Sequence, residues 1–344
     1  MLHKVISHLP HVSKSVKILI GALAWLFLIS GLHFIVNFEN SERRVIKMGY
    51  MPVITNLAAP LLDFASKEGN GIRYKAIKYA SFAEMAESLR NGEIEVAFMI
   101  APLSIVLKQQ GEDVKIIYIG NRHESTMVAR KELKVKTLHD LIGKTIAIPM
   151  RYSGHNISIL DLIEKENLTG QINVVEMNPP DMAAALSTGS LDAYYVGEPF
   201  AAQTLMAGKS ERVFYVEEVW DKFICNLAVV RQDLIQKEPD VVQQIVNGAV
   251  RSGMWASNKP KEAVKIAAKY WNQPVKLLEY AFTTPKNRIL YDQYIPKESE
   301  MQEMADLMKT YKLLEQTNID GLVDDRFAKS VKVEDIQDVK SILK

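Results

Sequence analysis

The sequence predicts an α/β protein: two lobes of similar build, each a mainly parallel sheet flanked by helices, behind one membrane-crossing helix. Three observations carry this. Short apolar runs alternate with helical patterns from Arg44 to about Val230. The pattern around Leu89–Val96 returns 97 residues later, and the 21 residues from Ile18 to Phe38 hold no charged side chain. At 344 residues the chain is about twice the usual length of one domain. Lys+Arg of 42 against Asp+Glu of 41 leaves a net charge of +1, which gives no electrostatic case for a nucleic-acid partner. A hydrophobic fraction of 48% with 24% charged residues excludes a disordered or fibrous chain.

The apolar run is long enough to cross a bilayer core as a helix. Lys4, Lys14 and Lys17 precede it. A cleaved signal peptide is the rival reading, but the run exceeds a usual signal core and has no A-x-A-like cleavage site, only the weak Leu28/Ser30 pair. No cysteine lies near its end, so a lipid-anchored terminus is excluded. Arg43, Arg44 and Lys47 follow as closely as the lysines precede, so charge alone does not orient the span.

Beyond it, Val45–Tyr50 reads as a strand, Leu57–Glu68 as a helix and Ile72–Tyr79 as a strand. Ser81–Glu84 is a capping box opening the next helix. Val96–Ile100 and Val114–Gly120 are buried strands. Leu186–Ala193 then repeats Leu89–Val96, each with a proline thirteen residues beyond its leucine, Pro102 and Pro199. Leu160–Glu166 echoes Leu62–Glu68 at an offset of 98. From Pro239 to Lys312 the pattern is almost wholly helical, with Pro239, Pro260 and Pro274 near helix starts. The mixed-charge tail from Asp324 to Lys344 is expected to end in a solvated helix.

Parallel sheets bind ligands where strands run into helix N-termini. Two such junctions stand out, Met51–Asn56 and Met150–Asn156. The repeat places Thr55 opposite Ser153, each a hydroxyl at an expected N-cap, able to bind a small anion with the free helix amides. Asn56, Gly154 and Asn156 belong to the same turns, and Arg151 and His155 add donors to the second. Glu198 follows a buried strand and so lies near the ligand edge; Arg122–Glu124 reaches the cleft or remains a solvated loop. The alternatives are local capping for His155 and a helix-dipole contact for Glu198. The lone Cys225 excludes a disulfide framework, a CxxC pair and a cysteine-built zinc site, and reads as a buried small hydrophobe. No G-x-G-x-x-G, P-loop, H-E-x-x-H or G-x-S-x-G occurs, the histidines lack metal-ligand spacing, and no cofactor or turnover is expected.

These residues resemble a family. Met48–Pro52, Asn91–Ala97, Leu138–Ala147 and the stretches within Asn178–Phe200 are similar to the nitrate/sulfonate/taurine class of periplasmic solute-binding proteins serving ABC uptake transporters. The likeness spans about Arg44 to Phe327. It implies the type II two-lobed binding-protein fold, closing on ligand like a clamp, with crossings near Ser125–Arg130 and Cys225–Val230. The first lobe then takes 44–129 plus 230–327 and the second 130–226, followed by a tail. It implies that His155 lines the pocket, with Ala101 added to the ligand-contacting set. It also orients the chain, with residues 1–17 in the cytoplasm and the body outside the inner membrane. Retention of a membrane anchor departs from the family's usual released or lipid-anchored state. Pyrimidine synthases of this fold use a cysteine-rich motif that one cysteine cannot supply.

The expected function is therefore a membrane-tethered binding protein delivering a small anion, such as nitrate, bicarbonate or a sulfonate, to an ABC permease and its ATPase. A ligand-sensing protein signalling to a membrane partner is the alternative; the short stretch before the span holds no output domain, which favours transport. An amine-bearing or pyrimidine-like ligand is a further alternative if Glu198 faces the pocket.

Overall fold

The computed structural model describes residues 13–37, 43–334 and 336–344. Most of the expected cytoplasmic segment and Phe38 at the end of the expected span lie outside the described residues. The chain forms two units, Met1–Arg44 and Val45–Lys344. The first contains helix α1 (Lys14–Asn37). Its Lys14–Phe34 stretch has a mean hydropathy of 2.0 and is unburied among the described residues. Trp25 and Phe27 on it are 61% and 75% exposed. A helix apolar on every side needs hydrocarbon around it, so α1 is a candidate membrane span.

The second unit is built on two five-stranded sheets. The first holds β1 (Val45–Tyr50), β2 (Arg73–Lys78), β3 (Val96–Ile100), β4 (Val114–Ile119) and β10 (Asn226–Arg231) in the order β2-β1-β3-β10-β4. The second holds β5 (Ser125–Arg130), β6 (Thr145–Ile148), β7 (Asn173–Glu176), β8 (Ala193–Gly197) and β9 (Ser210–Tyr215) in the order β7-β6-β8-β5-β9. The two orders match. In each sheet the strand next to one edge runs antiparallel to both neighbours, β10 in the first and β5 in the second. Even the register irregularity recurs, between Ala228 and Val229 and between Met127 and Val128.

Both antiparallel strands begin where the chain arrives from the other sheet, β5 after β4 and β10 after β9. Their sheet membership differs from the expected lobe limits: Ser125–Ala129 pair in the second sheet, and Asn226 pairs in the first. Pairing, not proximity in sequence to the preceding strands, decides this.

Helices α2 (Ala58–Ser66), α3 (Phe82–Arg90) and α4 (Ala101–Gln109) connect the first sheet, and α5 (Gly154–Lys165), α6 (Pro179–Ser187) and α7 (Phe200–Met206) the second. Ser81 caps α3, its Oγ accepting the Glu84 amide at 3.2 Å. The repeated glycines stop helices: Gly92 and Gly189 have φ of +75° and +81° just beyond α3 and α6. Only glycine adopts that left-handed turn without strain.

After β10 come α8 (Gln232–Lys237), α9 (Pro239–Asn258), α10 (Pro260–Trp271), α11 (Val275–Thr283) and α12 (Glu298–Thr310). Pro239 and Pro260 occupy first turns, where a missing amide costs no hydrogen bond. The expected continuous helical stretch is broken by the non-helical segment 284–297. The tail corrects another expectation. Rather than a solvated helix, it forms the short α13 (Arg326–Lys329) and a closing 3-10 turn at Lys340–Leu343, with Phe327 and Ile342 buried. Buried Arg251 of α9 donates to the carbonyls of Lys332, Glu334 and Ser341 at 2.8–3.3 Å. Two apolar anchors and one cation outweigh the tail's charged composition.

Candidate functional site

The loops leaving β1, β3, β6 and β8 meet the two crossing segments. The Ile54 amide donates to the Glu198 carbonyl at 2.9 Å, joining the first junction of one sheet to the last junction of the other. The Ala101 amide donates to the Cys225 carbonyl at 2.9 Å. Asn226 Nδ2 donates to Asn56 Oδ1 at 2.7 Å, and Asn56 Nδ2 to the Met51 carbonyl. Gly154 lies so close to Phe223 that a Cβ would stand 2.7 Å from its ring, which brings the start of α5 against the second crossing.

A buried polar line runs through this meeting point. His155 Nε2 is 2.9 Å from Ser125 Oγ, and Ser125 Oγ donates to Glu124 Oε1 at 3.1 Å. The Glu198 amide donates to Glu124 Oε2 at 2.7 Å. The Cys225 thiol sits beside Glu124, Ser125 and Thr55. Arg288, from the 284–297 segment, donates to Thr126 Oγ1 at 3.1 Å, to Glu217 Oε1 at 2.7 Å and to the Ser125 carbonyl.

Desolvation sets the charge states. Burial lowers the His155 pKa to about 3, so the ring is neutral at physiological pH. Burial raises Glu198 to about 7, against donation from the Ala202 amide, the Arg288 charge and the Thr126 hydroxyl. It also raises Glu124, and it holds the Cys225 thiol protonated. His155 Nε2 and Ser125 Oγ share one hydrogen bond, and the tautomer of the neutral ring decides which of them donates.

Several buried polar atoms here have no hydrogen-bond partner among the described residues: Thr55 Oγ1, both side-chain amide atoms of Asn121, and His155 Nδ1. Orphaned buried polar atoms are costly, and their gathering marks a place where something polar belongs.

The structure brings Thr55, Asn56, Ala101, Gly154, His155 and Glu198 to this junction. Ser153 caps α5, accepting the Asn156 amide at 3.1 Å, and Asn156 Nδ2 donates to the Arg151 carbonyl. Thr55 departs from its expected place. It lies inside a 3-10 turn, Ile54–Asn56, and the residue before α2 is Leu57. Arg122 is neither in the cleft nor solvated: it is 2% exposed, paired with Glu300 at 2.9 Å and donating to the Lys222 carbonyl. Arg151 is exposed, its guanidinium over the Tyr152 ring, and adds no charge beside His155. Glu198 has both oxygens engaged, by Thr126 Oγ1 and the Ala202 amide.

Sequence reasoning placed Ser125, Thr126 and Asn226 in the crossings without giving them a site role, left Glu124 out of the site, and did not single out Asn121 or Arg288. The Arg122–Glu124 triplet was the available signal. Three consecutive polar residues look like a loop, but this stretch is the buried connection from β4 of one sheet to β5 of the other. Among the described residues, no group of three or more His, Cys, Asp or Glu could hold a metal.

The model of the NMT1-like family matches residues 39–271. The chain belongs to that family. It is 26% identical over 194 residues to the taurine-binding periplasmic protein of Escherichia coli, covering 54% of this chain and 58% of that protein. It is 22% identical over 328 residues to a putative aliphatic sulfonates-binding protein of Bacillus subtilis, covering 91% and 96%. A ligand-binding component of an ABC-type import system from Staphylococcus aureus, solved with zinc bound, superposes with a TM-score of 0.75 at 25% identity, covering 85% and 100%. The periplasmic nitrate-binding protein NrtA from Synechocystis gives 0.72 at 14% identity, covering 84% and 88%, a likeness of fold alone. The fold is thus the periplasmic-binding-protein fold, with two mixed sheets flanked by helices. The taurine and sulfonate relatives named above are binding proteins.

Proposed function

We propose that this protein is a membrane-tethered, extracytoplasmic solute-binding protein of an ABC-type uptake system. It holds a small organic or inorganic anion between its two sheets and delivers it to a permease coupled to an ATPase. The observation that carries this reading is the convergence of orphaned buried polar atoms from Thr55, Asn121 and His155 at the junction of both sheets. The hinge-like double crossing supports closure of one half on the other. Helix α1 supports single-pass tethering in the inner membrane, with the body on the outer side. Binding without turnover fits a site whose one thiol, Cys225, is held protonated by burial.

The test is a thermal-shift screen of nitrate, bicarbonate, sulfonates and amino acids against the full-length protein in detergent, followed by calorimetry on any hit. A saturable hit supports the reading, and a flat screen overturns it. Fractionation tests the tether: the full-length chain is expected with the membranes, and a mature terminus beyond Gly31 would exclude an anchor.

A further inference from the structure

The chain passes between the two sheets twice, so one half can rotate on the other about these connections. In this structure the halves are shut. The Ile54 amide reaches the Glu198 carbonyl, and Thr55, His155 and Glu198 are buried between the sheets. A second contact between the halves lies away from this junction, on α12.

Helix α12 is carried by the first half. It packs on α4, with Met301, Met304 and Met308 buried in the same apolar cluster as Leu103 and Ile105. The chain beyond it is fastened to the first half as well. Gln109 of α4 donates to the Asn318 carbonyl at 2.6 Å, and the Ile116 amide of β4 donates to the Leu322 carbonyl at 2.8 Å. Near the start of α12, Glu300 pairs at 2.9 Å with Arg122 of the β4–β5 connection. At its far end, Tyr311 reaches the second half. The Tyr311 hydroxyl lies 3.2 Å from Asp161 Oδ1 and 3.1 Å from Glu164 Oε2, both on α5. Tyr311 stands roughly 16 Å along the helix axis from Glu300. Rotation about the connection therefore moves the Tyr311 end against α5 far more than the Glu300 end.

The contact is narrow. A cavity of about 180 Å³ beside Trp220 opens on one side of it, and one of about 440 Å³ beside Thr169 and Ile172 on the other. With packing thinned on both sides, hydrogen bonds from one phenol to charged acceptors carry more of the contact. Asp161 and Glu164 are like charges three positions apart on one helix, and the phenol supplies a donor between them.

We propose that α12 is a strap across the two halves and that the Tyr311 hydroxyl on Asp161 and Glu164 is its clasp, holding the protein shut without solute. This goes beyond the solute-binding reading and is tested without any solute.

The test is site-resolved hydrogen exchange on the full-length protein in detergent with no solute added, comparing wild type with Tyr311→Phe. The Ile54 amide is bonded across the halves and reports opening. The Tyr79 amide, bonded to the Tyr50 carbonyl, and the Met177 amide, bonded to the Ile148 carbonyl, each lie within one half. Losing the clasp is expected to speed exchange at Ile54 tenfold or more and to leave Tyr79 and Met177 within twofold. Exchange at Ile54 within twofold of wild type overturns the proposal. Equal acceleration at all three amides also overturns it, because that reports general loss of stability. Should a melting curve show Tyr311→Phe unfolded, the Asp161→Asn, Glu164→Gln double variant is read by the same criteria. Unfolding of both variants makes the contact a requirement of the fold and overturns the clasp. None of these results bears on solute binding, and a flat solute screen leaves the clasp standing.

Discussion

Arg130 and Arg231 hold the same place in the two halves of the body. Each ends an antiparallel strand, and each brings its guanidinium to about 3.5 Å from where a Cβ would stand on the glycine closing a helix, Gly189 for Arg130 and Gly92 for Arg231. Arg231 Nη1 also donates to the Leu89 carbonyl at 3.0 Å, while Arg130 Nη2 pairs with Asp192 at 2.7 Å. The two halves therefore share the same lock on the same turn, made with different partners.

Replacing either glycine strains that turn. Gly92→Ala and Gly189→Ala are each expected to cost about 1–2 kcal/mol, the usual cost of a left-handed non-glycine residue. Gly71, with open space around its Cβ position, should tolerate alanine within about 0.5 kcal/mol. Urea midpoints of the three variants check this, and equal midpoints would refute the assignment of the turns.

Glu198 links stability to pH. The unfolded carboxyl ionises near 4.5 and the buried one near 7. Between those values the folded state holds the extra proton, so this contribution falls as pH rises from 4.5 to 7 and stays low above. His155 acts oppositely. Its unfolded ring gains a proton below 6.5 and the buried ring does not until about 3, so its contribution falls as pH drops through that window. Glu198→Gln removes the first effect and keeps the second. Relative to wild type, the variant should gain on the order of 2–3 kcal/mol between pH 5 and pH 8. Denaturant titrations at both values measure it, and a pH-independent difference would count against a buried, raised carboxyl.

The His155 ring is expected to remain neutral from pH 8 to pH 5. Nitrogen-15 shifts of labelled imidazole report both state and tautomer. A charged ring at pH 6 would contradict the burial seen here. His155→Ala should weaken solute binding about 10- to 150-fold, as expected for one hydrogen bond to a charged group worth about 1.5–3 kcal/mol.

Arg288 ties the 284–297 segment to the second sheet through Ser125, Thr126 and Glu217. Arg288→Ala leaves Glu217 without its cation, and breaking such a pair costs about 3–5 kcal/mol when both partners are fully buried. Glu217 is 24% exposed, so the expected loss lies at the lower end. The melting temperature should drop and small-angle scattering should report a wider spacing of the two halves. An unchanged radius of gyration would place the strut elsewhere.

What could be read in advance follows from what each residue needs. Val96–Ile100 was legible because every position is buried, which demands an unbroken apolar run. The repeat was legible because Gly92 and Gly189 solve one local problem identically. Thr55 misled because the repeat aligns it with Ser153, whereas the first junction tightens into a 3-10 turn that local pattern does not announce. Glu124 was hidden because burial of a carboxylate is a tertiary event, arranged by Ser125 and a distant backbone amide. Arg288 was hidden in an apparently helical stretch, and nothing nearby in sequence reveals that its partners come from β5 and from Glu217 beyond β9.

The interleaving of the strands sets an order of maturation. The second sheet is drawn from one uninterrupted stretch, Ser125 to Tyr215, and can close as soon as that stretch has been synthesised. The first sheet cannot, because β10, which separates β3 from β4, arrives only after the second sheet is complete. Until residue 231 is available, β3 and β4 present facing unpaired edges of strands that are almost wholly buried in the finished protein, a liability for aggregation. The half made first is thus finished last, reversing the usual amino-to-carboxyl progression. A chain released early, anywhere before Arg231, would keep a sound second half attached to an open first one.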